Sequence, residues 1–143
     1  MKRLLILLIL MALATAPVAS ADCLQVTKTT MQFNGTDAVF ILDYELDFLV
    51  RIYVLAFGSA NIAPEIEARF TSFDEVSVRK IGCEQATIDV KNVSHQSNEY
   101  YFHNSHDFGM TLKKLVVELP DGYSRTYLHT NKTPDIYYER DSS

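Results

Sequence analysis

The pattern of apolar and polar residues along this chain is mostly that of β-strands. Residues 24–33 hold three Thr and one Val, and in residues 38–47 the two faces of a strand are predicted to carry Val39, Ile41, Asp43 and Glu45 on one side and Phe40, Leu42, Tyr44 and Leu46 on the other. Asn34-Gly35 between the two runs favours a hairpin, although Thr36 and Asp37 predict a loop longer than two residues. We therefore expect the folded part of the chain to begin with a β-hairpin.

One segment departs from the β pattern, because nine of the ten residues in 48–57 are apolar or aromatic and only Arg51 is charged. Asp47 can cap a helix there and Gly58 can end it, while Pro64 begins a second helix that runs to about residue 72. A helix that is apolar on all sides is expected to be buried, here between a sheet and the second helix. A subunit interface, a helix lying in a membrane surface and a buried strand are the alternatives.

The rest of the chain predicts further strands, at residues 75–81, 85–93, 99–103, 109–119 and 123–130, with a short edge strand near 136–138. Pro120-Asp121-Gly122 predicts the turn that joins two of them. We expect the strands at 99–103, 109–119 and 123–130 to form a meander. The predicted fold class is α+β, with an antiparallel sheet of about six strands and two short helices inserted after strand two; a β-sandwich is the alternative.

The N-terminal segment has the features of a signal peptide. Lys2 and Arg3 precede an apolar run at residues 4–13, and small residues at 19–21 provide a cleavage site. The run is about half the length that a bilayer span needs, so no stable membrane span is expected after processing. We predict a signal peptide at 1–21 and a single exported domain at 22–143, which is secreted, periplasmic or part of the extracellular envelope.

Charge and cysteine content fit that location. Removing the leader takes two positive charges away, so the net charge falls from −5 to −7, and an acidic chain of this kind is not expected to bind nucleic acid. Cys23 and Cys83 are the two cysteines, and an oxidising compartment favours one disulfide between them. Asn34, Asn92 and Asn131 each begin an N-glycosylation triplet and are predicted to lie at turns or strand ends.

Two imidazoles and a carboxylate occur close together at His103, His106 and Asp107. In the expected meander His129 reaches the same edge of the sheet, and two or three histidines with one aspartate suit zinc or copper. The alternative is that these are ordinary loop and strand residues, with no cofactor bound. A metal-binding protein or metal-dependent enzyme is thus the second functional hypothesis.

The first functional hypothesis concerns the tyrosines. The chain holds eight Tyr and eight Phe, and many of the tyrosines fall in the C-terminal strands. In the adjacent pairs Tyr100-Tyr101 and Tyr137-Tyr138 one ring must face away from the core, and exposed tyrosines are typical of surfaces that recognise other molecules. Tyr101, Tyr123 and Tyr127 are the predicted binding surface, for a protein, a glycan or an envelope component. Motifs of the common enzyme classes are absent from the sequence, which favours a non-enzymatic role without deciding it.

Overall fold

The computed structural model describes residues 24–140, so the predicted signal peptide and Cys23 lie outside the described part of the chain. Within these residues the elements are, in chain order, β1 (Leu24–Asn34), β2 (Asp37–Leu46), α1 (Phe48–Phe57), α2 (Ala63–Glu67), a 3₁₀ helix (Ala68–Phe70), β3 (Glu75–Ile81), β4 (Gln85–Lys91), β5 (Ser94–Ser97), β6 (Tyr100–His103), β7 (Asp107–Glu118), β8 (Ser124–Lys132) and β9 (Ile136–Glu139).

The larger sheet contains six strands in the order β3-β4-β2-β1-β7-β8. All neighbouring pairs are antiparallel except β1 and β7, which run parallel with Thr29 opposite Leu115. The predicted α+β class, with about six strands in the sheet and two short helices after the second strand, is confirmed. The sheet is mixed rather than wholly antiparallel, because β7 returns to the free side of β1 instead of extending a chain of hairpins.

The hairpin of β1 and β2 is tighter than the sequence predicted. Asn34 and Asp37 are already paired across the two strands, so the loop consists of Gly35 and Thr36 alone. Gly35 has φ +62°, a conformation that glycine adopts without strain. Asp37 is held in the strand by bonds from the Lys91 ammonium and the Asn92 amide, which explains why it does not lengthen the loop.

The core lies on one face of the larger sheet. In β2 the alternating residues Ala38, Phe40, Leu42 and Tyr44 are buried, as the period of two requires. Around Phe40 the rings of Phe70, Phe73 and Phe108 pack with centroids 5.2 to 6.0 Å apart, mostly edge to face, and join the 3₁₀ helix to the sheet. This aromatic cluster, together with Ile66 of α2, covers that part of the sheet.

Helix α1 forms with the predicted bounds but is not buried. Asp47 accepts a bond from the Phe48 amide at the start, and the Gly58 amide donates to the Val54 carbonyl at the end. Only Val54 is buried, whereas six large apolar side chains of the helix are 37 to 73% exposed. The expectation of a central helix covered on both sides is therefore wrong, because α2 and the 3₁₀ helix cover the sheet without it.

The second sheet has three strands in the order β5-β6-β9. The predicted meander is accordingly wrong in its first strand, since β6 pairs with β5 and β9, while β7 and β8 pair in the larger sheet. None of the helices between residues 24 and 140 has the length and apolar character that crossing a bilayer requires.

Candidate binding surface on the small sheet

The three short strands of the small sheet place aromatic residues on one outer row. In the antiparallel register His95 of β5 lies opposite Phe102 of β6, which lies opposite Tyr137 of β9. Neighbouring residues along each strand point the other way, and Ser94, His103 and Ile136 are correspondingly buried. The alternation of strand side chains thus turns one aromatic side chain of each strand outward at the same level.

These outward rings are close enough to form one surface. The His95 and Phe102 rings are stacked with centroids 5.5 Å apart and an interplanar angle of 19°. Phe102 lies 6.5 Å from Tyr137 and also 6.5 Å from Tyr100, which is two residues earlier on β6 and on the same side. We call His95, Tyr100, Phe102 and Tyr137 the aromatic face; Tyr137 is its most exposed tyrosine, at 72%.

A groove of about 700 Å³ borders the aromatic face, between β9 and the turn that follows β7. Tyr100 and Tyr137 line it, together with five charged residues of both signs, which are Asp121, Arg125, Asp135, Glu139 and Arg140. The Tyr100 hydroxyl donates to the Glu139 carboxylate at 3.4 Å, and the negative charge of Glu139 raises the pKa of the Tyr100 phenol. The groove therefore offers charged hydrogen-bonding groups directly beside exposed rings.

The inner side of the small sheet is anchored to the β1–β2 hairpin. The Tyr138 hydroxyl donates to the Gly35 carbonyl at 2.6 Å, and its ring lies 4.7 Å from that of Phe33 and 5.4 Å from that of Tyr101. Burial raises the pKa of the Tyr138 phenol. Because β9 is held from below by Tyr138, the neighbouring Tyr137 ring is fixed on the outside.

The predicted tyrosine surface is not the one that the structure assembles. Tyr101 points inward and is half-buried, Tyr127 packs partly against the core, and Tyr123 is exposed in the turn before β8 without lining the groove. The adjacent pairs did predict one outward ring each, but these rings are Tyr100 and Tyr137. His95 and Phe102 were missed, since the pairing of β5, β6 and β9 leaves no local signal in the sequence.

His103 is an internal hydrogen-bonding residue. Its Nδ1 lies 2.8 Å from the Val93 carbonyl oxygen, which can only accept, so Nδ1 carries the proton. Nε2 then accepts from the Thr133 hydroxyl at 2.9 Å, and that hydroxyl in turn accepts from the His106 amide at 2.8 Å. Burial, opposed by the bond to Val93, lowers the pKa of His103 to about 4.

The other residues of the predicted metal site are dispersed or otherwise engaged. The His106 ring is 5.4 Å from that of His103 and stacks on Phe73 at 4.8 Å, while Asp107 begins β7 and is exposed. His129 lies on β8 of the larger sheet, a different sheet from that of His103. Between residues 24 and 140 no three His, Cys, Asp or Glu side chains converge on a common point. The geometry thus gives the zinc or copper hypothesis no support.

The glycosylation triplets and Cys83 have the following positions. Asn34, Asn92 and Asn131 are all exposed, at the end of β1, just after β4 and near the end of β8. Cys83 is half-buried in the turn between β3 and β4, and no other cysteine occurs in residues 24–140. The disulfide and the glycosylation remain predictions.

Comparison with known proteins adds no family assignment. No protein-family model matches this chain, and no curated protein or solved structure gives a significant match.

Proposed function

We propose that this chain is an exported, non-enzymatic binding domain that holds a glycan against the aromatic face. The observation that carries the proposal is the row His95, Phe102 and Tyr137, which places three outward rings on three adjacent strands. The signal-peptide pattern at residues 1–21 supports export. An exported domain can reach the glycans of the cell envelope and its surroundings.

The shape of the row suits a short stretch of linked sugars. Strands lie about 4.8 Å apart, so the outer two of the three rings are separated by about 10 Å, a span comparable with a disaccharide. The face of an aromatic ring is negative and attracts the weakly positive C–H groups on one side of a sugar ring. An open row of rings is better matched to such an extended ligand than to a protein side chain, which needs a pocket around it.

The neighbouring groove supplies the polar part of the proposed contact. Carboxylates of Glu139 and Asp135 can accept bonds from sugar hydroxyls, and the guanidinium groups of Arg125 and Arg140 can donate to them. The groove contains both signs of charge, whereas the whole chain is acidic. We therefore expect a neutral glycan rather than a polyanion.

Affinity electrophoresis of the exported, processed protein through gels containing soluble neutral polysaccharides tests the proposal. Soluble β-glucan, xylan and glycol chitin are suitable probes. We expect at least one of them to retard the protein, and Tyr137→Ala to weaken that retardation about tenfold or more, as truncation of a central contact residue does. Phe102→Ala should act in the same direction.

Leu128→Ala is the matched control, because Leu128 is 65% exposed on β8 but belongs neither to the aromatic face nor to the lining of the groove. It should leave the retardation unchanged. Absence of retardation by every polysaccharide, or an equal loss in Leu128→Ala, contradicts the glycan proposal. Capture of a protein ligand that Tyr137→Ala abolishes would keep the aromatic face as the binding surface and replace the glycan by a protein.

A further inference from the structure

Helix α1 presents an apolar face that nothing in residues 24–140 covers. Ile52 lies at the centre of this face, and its neighbours three and four positions away along the helix are Phe48, Leu49, Leu55 and Ala56. All five are exposed, and Phe48, Leu49 and Leu55 are each at least 70% exposed. A contiguous apolar surface of this kind on a folded domain marks a contact site.

The helix is held in place although its outer face is free. Val54 on the opposite side is buried, the Arg51 guanidinium donates to the Glu84 carboxylate at 2.8 Å, and Asn61 donates to the Tyr53 hydroxyl at 2.9 Å. Together with the Asp47 cap, these bonds fix α1 against the end of the sheet. The apolar face is thus a displayed surface on a formed element.

We propose that this face binds the same face of a second copy of the chain, with the two α1 helices antiparallel about a two-fold axis near Ile52. Ile52 is at the middle of the ten-residue helix, so a two-fold axis there brings each end of one helix to the opposite end of its partner. The small side chain of Ala56 beside Ile52 lets the two helices approach to a normal packing distance of about 8–10 Å.

The available area fits a dimer interface. At about 150 Å² each, the lower end of the range for large apolar side chains, the four large side chains of this face at roughly two-thirds exposure offer about 400 Å². A stable interface buries about 800 Å² per partner. The residues that flank the apolar face would supply the area that the face itself does not. The apolar face alone therefore accounts for about half of what a second copy needs, which is close to the apolar share of such interfaces.

The charges favour a second copy over a lipid surface. Arg51 is the only charged residue of α1 and is already paired with Glu84, so no like charges oppose each other across the two-fold axis. A helix that binds the membrane surface carries a basic face, which α1 lacks. The acidic chain would also be repelled by anionic lipid.

Sedimentation equilibrium of the full chain, expressed with its own leader and purified from the exported fraction, measures the proposed association. We expect twice the chain mass, and a monomer for Ile52→Glu, whose dissociation constant should rise at least tenfold because a charge is placed at the centre of the interface. Since Ile52 is 48% exposed in the single copy, Ile52→Glu should still fold cooperatively, and its unfolding midpoint should lie below that of the dimeric wild type by an amount that grows with protein concentration.

Leu128→Glu is the matched control, because Leu128 is 65% exposed on β8 and should not affect the dimer. Geometry is tested separately: oxidation should link two copies of Ile52→Cys but not of Leu128→Cys. The wild-type chain remaining a monomer overturns the proposal, and binding of that monomer to neutral phospholipid vesicles would assign the face to lipid instead. A dimer that survives Ile52→Glu also overturns it, by placing the interface elsewhere. Neither result bears on glycan binding by the aromatic face.

Discussion

At the residue scale, His103 shows how one internal polar side chain can make stability depend on pH. It is buried, and both of its ring nitrogens are hydrogen-bonded, to the Val93 carbonyl and the Thr133 hydroxyl. This arrangement favours a neutral imidazole, since a second ring proton would force the Thr133 hydroxyl to turn its proton from Nε2 to the His106 carbonyl oxygen, which is 3.5 Å away. The neighbouring His106 further disfavours a positive charge, while Asp135 favours it.

We predict that the free energy of unfolding falls as the pH decreases from about 6.5 towards 4. The pKa of His103 is lowered from 6.5 to about 4 in the folded protein, so between these values the unfolded chain binds a proton that the folded chain does not. The stability that the neutral His103 imidazole contributes is therefore complete above pH 6.5 and is lost as the pH falls towards 4. Between pH 7.5 and pH 5 we expect the free energy of unfolding to decrease by about 2 kcal/mol. Urea denaturation at the two pH values measures this decrease.

His103→Gln should be less stable at pH 7.5 but should lose much less on acidification. His95→Gln is the control, because His95 is exposed on the aromatic face and should retain the wild-type pH dependence. An unchanged pH dependence in His103→Gln would show that other groups cause the effect.

At the scale of elements, the close contact between β7 and the 3₁₀ helix depends on a glycine. A Cβ atom at Gly109 would lie 3.2 Å from the Ala68 carbonyl oxygen and 3.3 Å from the Arg69 Cα, both backbone atoms that cannot move aside independently. The absence of a side chain lets β7 pass directly beneath this helix. The aromatic cluster around Phe40, to which Phe70 of the helix and Phe108 of β7 belong, requires that approach.

We predict that Gly109→Ala destabilises the protein by about 1–3 kcal/mol, the usual cost of forcing extra volume into a packed site. The change in the free energy of unfolding is measured by the urea concentration at the midpoint of unfolding, with the slope of free energy against urea concentration unchanged between the two proteins. Gly82→Ala is the matched control, because its nearest neighbour, the Gln85 carbonyl oxygen, is at an ordinary 3.4 Å. If both variants unfold at the same midpoint, the contact between β7 and the 3₁₀ helix is not tight in solution.

Local signals in the sequence were sufficient for the bounds of α1, but not for what lies against it. Asp47 and Gly58 predicted both ends of α1 correctly, because caps act on adjacent backbone groups. The apolar composition of α1 predicted that something covers it, and burial in its own chain was the wrong choice. A single sequence does not say whether a covering surface belongs to the same copy or to another.

The same limit explains the tyrosine prediction. The alternation of side chains along a strand required one outward ring in Tyr100-Tyr101 and one in Tyr137-Tyr138, and this requirement is met. Which ring points outward depends on the pairing of β6 with β9, and that pairing joins residues more than 30 positions apart. The parallel pairing of β1 with β7 is another long-range contact that turn residues do not indicate.

At the scale of the whole molecule, the two proposed contact surfaces lie on different elements. The aromatic face lies on the small sheet, which Tyr138 anchors to the β1–β2 hairpin loop at Gly35. Helix α1 begins two residues after Leu46, at the opposite end of that hairpin, where Leu46 pairs with Leu24. Contact through α1 would therefore leave the aromatic face accessible, and a dimer would present two such faces to one polysaccharide, which strengthens binding through effective concentration.

The position of Cys83 bears on the predicted disulfide. The Tyr44 amide donates to the Glu84 carbonyl at 2.9 Å, and the Tyr44 hydroxyl donates to the Gly82 carbonyl at 2.5 Å. Tyr44 precedes Leu46 by two residues, and Leu46 pairs with Leu24, so the turn that holds Cys83 lies at the end of the sheet where the chain enters β1. Cys23 directly precedes Leu24 in the sequence.

We predict that the exported protein contains the Cys23–Cys83 disulfide. Its mass should be about 2 Da below that of the reduced chain, because one disulfide removes two hydrogens. The bridge closes a loop of about 60 residues, so Cys83→Ser should lower the free energy of unfolding by up to about 4 kcal/mol in the loop-closure description. A reducing agent should destabilise the wild-type protein by the same amount and leave Cys83→Ser unchanged, which separates the bridge from the packing of the Cys83 side chain. Two titratable thiols in the exported protein would contradict the prediction, and with it the inference that folding ends in an oxidising compartment.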